Sequence, residues 1–204
     1  STLINLIPRF YDVTQGSVEV DGRNVKAFSF KQLRKQIGIV PQQSILFKGT
    51  VRDNMKWENP DLSDEDIITA LKNAQAYEFV SKLPMGLDSH VEQGGKNFSG
   101  GQRQRLCIAR AIAAQPKVLI LDDSFSALDF ATDAALRKAL SQYTHEMTVI
   151  IVTQRCSTIM NSDLILVLDD GMLAGKGTHK ELLKNCETYK EICLSQLSKS
   201  EVEV

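Results

Sequence analysis

A glycine pair at the predicted start of a helix is the clearest chemical feature of this 204-residue sequence. Ser99 is a typical helix N-cap, and Gly100 and Gly101 follow it without side-chain bulk. Leu106 and Ala109 then recur at helical spacing. The first N–H groups of a helix have no partner within it and attract an anion such as phosphate. The segment therefore predicts an anion site, although a serine-capped helix is the simpler explanation of these three residues taken alone.

A pair of carboxylates follows further along the chain, at the end of a predicted strand. Val118–Asp123 reads V-L-I-L-D-D, four apolar residues and then Asp122 and Asp123. Open α/β sheets place their ligand chemistry at the carboxyl ends of strands. The segment therefore predicts a functional site at this strand end, with a merely solvated strand end as the alternative.

These two segments resemble the ATP-binding cassette (ABC) family, whose signature is L-S-G-G-Q and whose Walker B strand ends in an acid. Phe98 stands where the signature usually has leucine. Further segments match the family in its own order: Ser1–Leu3 with the end of Walker A, Gln42 with the Q-loop, Ser124–Asp129 with the D-loop, and Gln154–Thr158 with the switch. The resemblance implies an α/β P-loop NTPase fold of the ABC type, with a RecA-like parallel sheet and an inserted α-helical subdomain.

The resemblance also implies a division of the chain. Residues 1–43 would be the first part of the RecA-like core, 44–114 the helical subdomain with the signature, 115–177 the second part of the core, and 178–204 the C-terminal helices and tail. Because S-T-L ends the Walker A motif, we expect the glycine loop, its lysine and the preceding strands to be missing before Ser1. A capped helix at a natural terminus is the alternative. Ser198–Val204 is short and polar enough to fray.

Phosphoryl transfer needs cradled phosphates, a fixed Mg²⁺ and a positioned water. The resemblance implies ATP and Mg²⁺ as cofactors, with Ser1, Gln42 and Asp122 at the metal. The implied nucleotide-binding residues are Ser1, Thr2, Gln42, Ser99, Gly100, Gly101, Gln102, Asp122 and Asp129. The implied catalytic residues are Asp123, Gln154 and Gln42, with Asp129 communicating across a dimer interface.

Two residues of the implied catalytic centre depart from the family pattern. Asp123 stands where the family usually has the glutamate that orients the attacking water, and its carboxylate is withdrawn by about 1.3–1.5 Å. A positioning error near 1 Å costs on the order of a hundredfold in rate. Gln154 replaces the usual histidine of the switch, and a glutamine donates a hydrogen bond but takes no positive charge. His90, His145 and His179 lie elsewhere.

The two departures beside an intact signature indicate the degenerate half of a heterodimeric exporter. The family's domains dimerise head to tail, so this chain would lend its signature to a partner subunit that has the usual glutamate and histidine. It would act at the cytoplasmic face of the membrane, with transmembrane domains as further partners. The run Glu92-Gln93-Gly94-Gly95 resembles that of heterodimeric bacterial multidrug exporters.

Three other functions stay open at this point. A homodimeric exporter in which Asp123 still serves as base would show ATPase activity when the full-length protein is expressed alone. A chromosome-maintenance or DNA-repair ABC ATPase would need a long coiled coil between Gln42 and Ser99, and no heptad run is present there. A non-enzymatic module would fit this chain by itself, because without the phosphate loop we expect negligible ATP binding and no activity. Micromolar Mg-ATP affinity by calorimetry would contradict that expectation.

Composition sets broad limits on the function. The net charge is −1, with charged residues of both signs interspersed, which argues against a nucleic-acid partner. Hydrophobic residues make up 43% of the chain, enough for a substantial core, but no apolar run reaches the roughly 18 residues of a membrane span. Four cysteines without a C-x-x-C pair indicate free thiols in a reducing cytosol.

Periodicity predicts the elements that must position these residues. Helices are expected over Ser1–Phe10, Ser29–Gln36, Thr50–Met55, Ser63–Leu83 with a break near Gln75, Thr132–Gln142, Thr178–Lys184 and Thr188–Leu197. Buried parallel strands are expected at Val118–Leu121, Val149–Val152 and Leu164–Leu168, beside an apolar strand at Ile37–Val40. Hairpins are expected over Gly16–Val25, around Asp21-Gly22, and from Asp169 to Gly177.

Overall fold

A computed structural model describes residues 1–197 as a mixed α/β protein that divides into two compact units, Ser1–Val152 and a second that begins at Thr153. The strands are β1 (Glu19–Val20), β2 (Arg23–Asn24), β3 (Ile37–Val40), β4 (Gly49–Thr50), β5 (His90–Val91), β6 (Val118–Asp122), β7 (Thr148–Val152), β8 (Ile165–Asp169) and β9 (Met172–Gly177). The α-helices are α1 (Phe30–Arg34), α2 (Val51–Met55), α3 (Asp64–Asn73), α4 (Tyr77–Ser81), α5 (Gly100–Ala113), α6 (Phe130–Tyr143), α7 (Cys156–Ile159), α8 (His179–Asn185) and α9 (Glu187–Gln196). The predicted tail, Ser198–Val204, lies outside the described residues.

The first unit is built on a three-stranded parallel sheet in the order β3-β6-β7. Its central strand β6 is buried on both faces. Leu119 and Leu121 face the core formed with α5, whereas Val118 and Ile120 face a second apolar cluster. Such two-sided burial explains why the strand is a continuous apolar run rather than an alternating one. The predicted strands Ile37–Val40 and Val118–Leu121 are confirmed. Val149–Val152 is confirmed as a parallel strand, but it is half-buried and not buried as expected.

Capping residues define the starts of most helices. A capping box, in which the N-cap hydroxyl and the side chain of the third helical residue exchange hydrogen bonds with the backbone, begins five of them. The five N-caps are Ser29, Thr50, Ser63, Ser99 and Thr178. The predicted break near Gln75 is confirmed, because Gln75 has a φ of 56° between α3 and α4.

The predicted helix over Ser1–Phe10 is wrong in its extent. The structure has only a 3₁₀ helix at Ile4–Leu6, flanked by turns. Pro8 has no N–H to continue a helical ladder, and Arg9 turns the chain with a φ of 55°. The residues from Gly16 to Val25 form the expected hairpin, in which Asp21 and Gly22 take φ values of 52° and 67°, as a type I′ turn requires.

The predicted buried parallel strand at Leu164–Leu168 is also wrong. Its chain forms β8, which pairs antiparallel with β9 through the tight turn at Asp170-Gly171. Ile165 and Val167 are buried, while the leucines at 164, 166 and 168 are exposed. The segment is therefore one arm of a hairpin with one covered face, and the predicted hairpin to Gly177 is confirmed.

The second unit packs its own core between this hairpin, α8 and α9. The buried core residues are Cys156, Ile165, Val167, Leu182, Cys186, Tyr189 and Cys193. All four cysteines of the chain are free, as expected from their spacing, and the structure shows that they are also buried. No helix within residues 1–197 is long and apolar enough to cross a membrane. The proposed four-part division of the chain stays a prediction.

Candidate functional site

The carboxyl ends of β3, β6 and β7 meet at one edge of the parallel sheet, and the paired carboxylates lie there. Asp122 is the last residue of β6 and only 9% exposed. Asp123 follows with a φ of 49°, and its N–H donates to the Val152 carbonyl at 2.8 Å. This bond fixes the backbone of Asp123 at the sheet edge, so the place of its carboxylate depends on side-chain length.

The first residue of the chain lies at the same edge. The Ser1 hydroxyl donates to Asp122 Oδ2 at 2.6 Å, although the two residues are 121 positions apart. A hydroxyl held by a carboxylate is an oxygen pair suited to a hard cation such as Mg²⁺. The predicted neighbours Ser1 and Asp122 are thus brought together, with Thr2 exposed next to Ser1.

A buried hydroxyl ties the exit of β6 to the exit of β3. The Ser124 hydroxyl donates to the Val40 carbonyl at 3.1 Å, and Val40 pairs with Leu121 in the sheet register. Gln42 lies two residues beyond Val40 and is exposed. Gln42 therefore emerges at the edge that carries Asp122.

The start of α5 has the geometry expected from its sequence. The Ser99 hydroxyl accepts from the Gln102 N–H at 3.2 Å, and the Gln102 side chain accepts from the Ser99 N–H at 2.9 Å. Both polar side chains are thereby engaged in the cap. The N–H groups of Gly100 and Gly101 precede any carbonyl that the helix could offer them, so they are the groups available to an anion.

Gln104 joins this helix to the loop after β6, a link that the sequence analysis did not identify. Gln104 is buried; its Nε2 donates to the Asp123 carbonyl at 3.4 Å, and its Oε1 accepts from the Ala127 N–H at 3.3 Å. The backbone of Ala127 also lies against Gly101. The sequence signal for this role of Gln104 was a polar residue at a position of the helix that otherwise faces the core.

Asp129 is the N-cap of α6. Its carboxylate accepts from the Thr132 N–H at 2.9 Å and from the Thr132 hydroxyl at 2.7 Å, and these bonds lower the pKa of Asp129. Nearby on α5, burial lowers the pKa of Arg105, whose guanidinium donates to the Gln75 carbonyl at 2.6 Å. Asp129 is therefore charged at neutral pH, and it is exposed.

Gln154 lies in the second unit, two residues beyond β7. Its carbonyl accepts from the Gln196 Nε2 at 2.6 Å, and the Gln196 Oε1 accepts from the Cys156 N–H at 3.0 Å. The switch segment Gln154–Thr158 is thus held to α9 by one side-chain amide. His179, the first residue of α8, is buried and bonded to the Tyr189 hydroxyl at 2.8 Å, so it belongs to a helix start as expected.

The sequence is similar to those of known ABC transporter proteins. The family model described as "ABC transporter" matches residues 1–126. An "Uncharacterized ABC transporter ATP-binding protein YfiB" of Bacillus subtilis is 46% identical over 199 residues, covering 98% of this chain and 34% of that protein. A Staphylococcus aureus protein called "Putative multidrug export ATP-binding/permease protein" is 44% identical over 192 residues, covering 94% of this chain and 33% of that protein.

A solved structure supports the same assignment. The structure of a bacterial Atm1-family ABC exporter with ATP bound superposes with a TM-score of 0.91 at 36% identity, covering 95% of this chain and 34% of that one. The chain spans about a third of the length of the curated relatives it matches. Its fold is that of an ABC transporter nucleotide-binding domain, and the chain belongs to the ABC transporter family.

Proposed function

We propose that this chain is the ATP-binding domain of an ABC exporter and that ATP closes it against a second such domain. The observation that carries the proposal is the Ser1–Asp122 contact of 2.6 Å at the edge of the parallel sheet. Two of the family's sequence motifs, distant in the chain, meet there. The family match and the exporter relatives support the same function.

The residues at this edge fit Mg²⁺ held together with a nucleotide. Within residues 1–197, no group of three or more His, Cys, Asp or Glu side chains is placed to hold a metal. Ser1 and Asp122 instead supply one hydroxyl and one carboxylate, the small donor set that Mg²⁺ uses when phosphates complete its shell. Gln42 would add an amide oxygen. Bound Mg²⁺ would neutralise charge on the phosphates.

The other predicted residues take roles that follow from their chemistry. Gly100 and Gly101, with Ser99 and Gln102 holding the helix start, would meet the phosphates of the nucleotide bound by the partner. Asp129, kept charged by Thr132, would face the dimer interface. Thr2 would lie beside the phosphates next to Ser1.

The nucleotide site of this chain itself would be the slow one of the pair. The Asp123 N–H donates to the Val152 carbonyl. The backbone therefore cannot move forward to compensate for the shorter side chain without breaking that bond. Gln154 would donate a hydrogen bond to a phosphate oxygen without a charge. The partner subunit would carry the usual glutamate and histidine and would supply the competent site.

An exposed aromatic surface supports docking to membrane domains at the cytoplasmic face. Phe47 and Trp57 stack with their ring centroids 3.9 Å apart, and Arg110 lies over the Phe47 ring at 5.0 Å. Trp57 is 59% exposed. A stacked aromatic pair that is open to solvent offers apolar area to a partner. The Staphylococcus aureus relative joins ATP-binding and permease functions in its name.

The test is nucleotide trapping in the full-length transporter reconstituted with its partner subunit. With vanadate and a photoreactive ATP analogue, this site should cleave ATP more slowly than the partner's site. Asp123→Glu combined with Gln154→His should raise its rate about tenfold to a hundredfold. Asp169→Glu lengthens an acid at another strand end and is the matched control, expected to change nothing.

Two outcomes would contradict the proposal. Equal cleavage at both sites of the unmodified transporter would show that the site is competent. Brisk ATPase activity of the full-length protein expressed alone would favour a homodimeric exporter in which Asp123 is the base.

A further inference from the structure

Two buried cysteines of the second unit face each other across 37 positions of the chain. The Sγ atoms of Cys156 and Cys193 are 2.8 Å apart, with the Cys193 thiol donating to the Cys156 sulfur. Their exposed fractions are 2% and 0%. A disulfide has an S–S bond of about 2.05 Å, so a closing movement of under about 1 Å would join the two side chains.

The other two cysteines lack such a neighbour. The Cys186 thiol lies 3.8 Å from the Ala174 carbonyl, and the Cys107 thiol lies 3.6 Å from the Ile45 carbonyl. Both thiols therefore point at backbone oxygens. Among the four cysteines, the Cys156–Cys193 pair is the one whose sulfurs are in contact.

The pair sits where the switch segment meets α9. Cys156 begins α7 directly after Gln154 and Arg155, and Cys193 is one turn before Gln196 on α9. Gln196 bonds both the Gln154 carbonyl and the Cys156 N–H. One face of α9 therefore contacts the switch segment through two side chains, the Gln196 amide and the Cys193 thiol.

Burial keeps the Cys156 thiol protonated in the closed structure. Burial raises the pKa of Cys156 to about 12, and the hydrogen bond from Cys193 adds to the shift. Tyr189 is buried beside Cys193 and bonded to His179. Thiolates are the reacting form in disulfide exchange, so reaction requires a transient opening of α9.

We propose that Cys156 and Cys193 form a reversible disulfide that fastens the switch segment to α9. A low-molecular-weight disulfide is the oxidant. One cysteine thiolate attacks it, forming a mixed disulfide and releasing one small thiol. The second cysteine then attacks the protein sulfur of the mixed disulfide, forming the Cys156–Cys193 bond and releasing the second small thiol. Two protein thiols are oxidised, one small disulfide is reduced to two thiols, and the two protons go to those thiols.

Under oxidising conditions, the disulfide would hold the switch segment in place against α9. Cytosolic disulfides are usually transient and redox-sensing. Its regulatory meaning rests on the proposed function, because it requires Gln154 to act at a nucleotide. The existence of the bond does not.

Peptide mapping tests the bond directly. The full chain is incubated with oxidised glutathione, and remaining thiols are alkylated before digestion with trypsin. Cleavage places Cys156 in the peptide Cys156–Lys176, Cys186 in Asn185–Lys190 and Cys193 in Glu191–Lys199. We expect the first and third peptides to be recovered linked, two hydrogen atoms lighter than their sum, and separable by dithiothreitol. Recovery of both cysteines unlinked, or of links through Cys186, would overturn the proposal.

Variants and hydrogen exchange test what the bond does. Cys156→Ala and Cys193→Ala should each abolish the linked peptide, whereas Cys186→Ala and Cys107→Ala should leave it. In the oxidised chain, amide exchange over residues 153–156 should slow at least about tenfold, because the crosslink restricts local opening. Unchanged exchange in the linked protein would contradict the fastening. No step uses ATP, so failure here is distinct from failure of the trapping experiment.

Discussion

Replacing Gly100 by alanine separates a structural need for glycine from a functional one. A Cβ at Gly100 would lie 3.8 Å from the Ala127 Cβ, an ordinary van der Waals contact, at the first residue of α5. An alanine that fits its backbone conformation stabilises a protein by about 0.4–1 kcal/mol, chiefly by restricting the unfolded chain. One kcal/mol shifts the Tm of a chain of this size by about 2–4 °C. We therefore expect Gly100→Ala to raise the Tm by about 1–4 °C.

The same methyl group should impair function, because it occupies the surface that a phosphate would approach. Losing one hydrogen bond to a charged group costs about 1.5–3 kcal/mol, which corresponds to about tenfold to a hundredfold in the nucleotide dependence of dimer closure. Stability and activity should thus move in opposite directions. If glycine were required at this position only by the fold, Gly100→Ala would lower the stability and the activity together.

The assay pairs thermal unfolding of the chain with ATPase measurements on the full-length transporter in lipid vesicles. Gly101→Ala is the companion variant. Its Cβ would lie 3.3 Å from the Ala127 carbonyl oxygen, so it should gain less stability while losing as much activity. A lower Tm for Gly100→Ala would refute the packing argument. Unchanged ATPase activity at limiting ATP would refute the assignment of these N–H groups to phosphate.

Three further variants test the packing and the charges. Gly38→Ala should destabilise the first unit by about 1–3 kcal/mol in urea unfolding, since its Cβ would meet the Ala111 carbonyl oxygen at 2.8 Å. Burial lowers the pKa of His179 in the folded protein. As the pH drops below about 6.5, the ordinary pKa of histidine, the unfolded chain therefore binds more protons than the folded one, and the stability should fall. His179→Gln should flatten this dependence of Tm on pH. Gln104→Leu should cost about 1 kcal/mol, the low end for an unsatisfied group, because its bond from the Ala127 N–H is 3.3 Å long.

Local chemistry made much of the fold predictable. The helix start at Ser99 was identified because a serine hydroxyl at the N-cap satisfies a backbone N–H without help from the rest of the chain. The turn at Asp21-Gly22 was identified because few residues accept two successive positive φ values. Such signals depend on neighbours in sequence, which a single chain displays.

The prediction at Leu164–Leu168 failed because an apolar run does not show which strands flank it. Two-sided burial and pairing in a hairpin with exposed leucines produce the same run of residue types. The deciding signal, Asp170-Gly171, was recognised as a hairpin turn but was not used to assign a partner to the strand before it. Contacts in the folded protein, and not the local sequence, decide between a strand buried on both faces and a hairpin arm.

The site shows the same limit at the level of side chains. Ser1 and Asp122 were paired through the family's motifs, and the contact is present. Gln104 was missed because it binds the backbone of Asp123 and Ala127, and a backbone atom leaves no mark on the residue type that it requires. Yet these backbone bonds decide what the Asp123 substitution means. The Asp123 N–H donates to the Val152 carbonyl and the Asp123 carbonyl accepts from Gln104. These bonds restrain the backbone from advancing the short carboxylate, so on the proposed function the missing methylene of Asp123 contributes to slow cleavage together with Gln154, and restoring both the longer acid and the imidazole should reverse it.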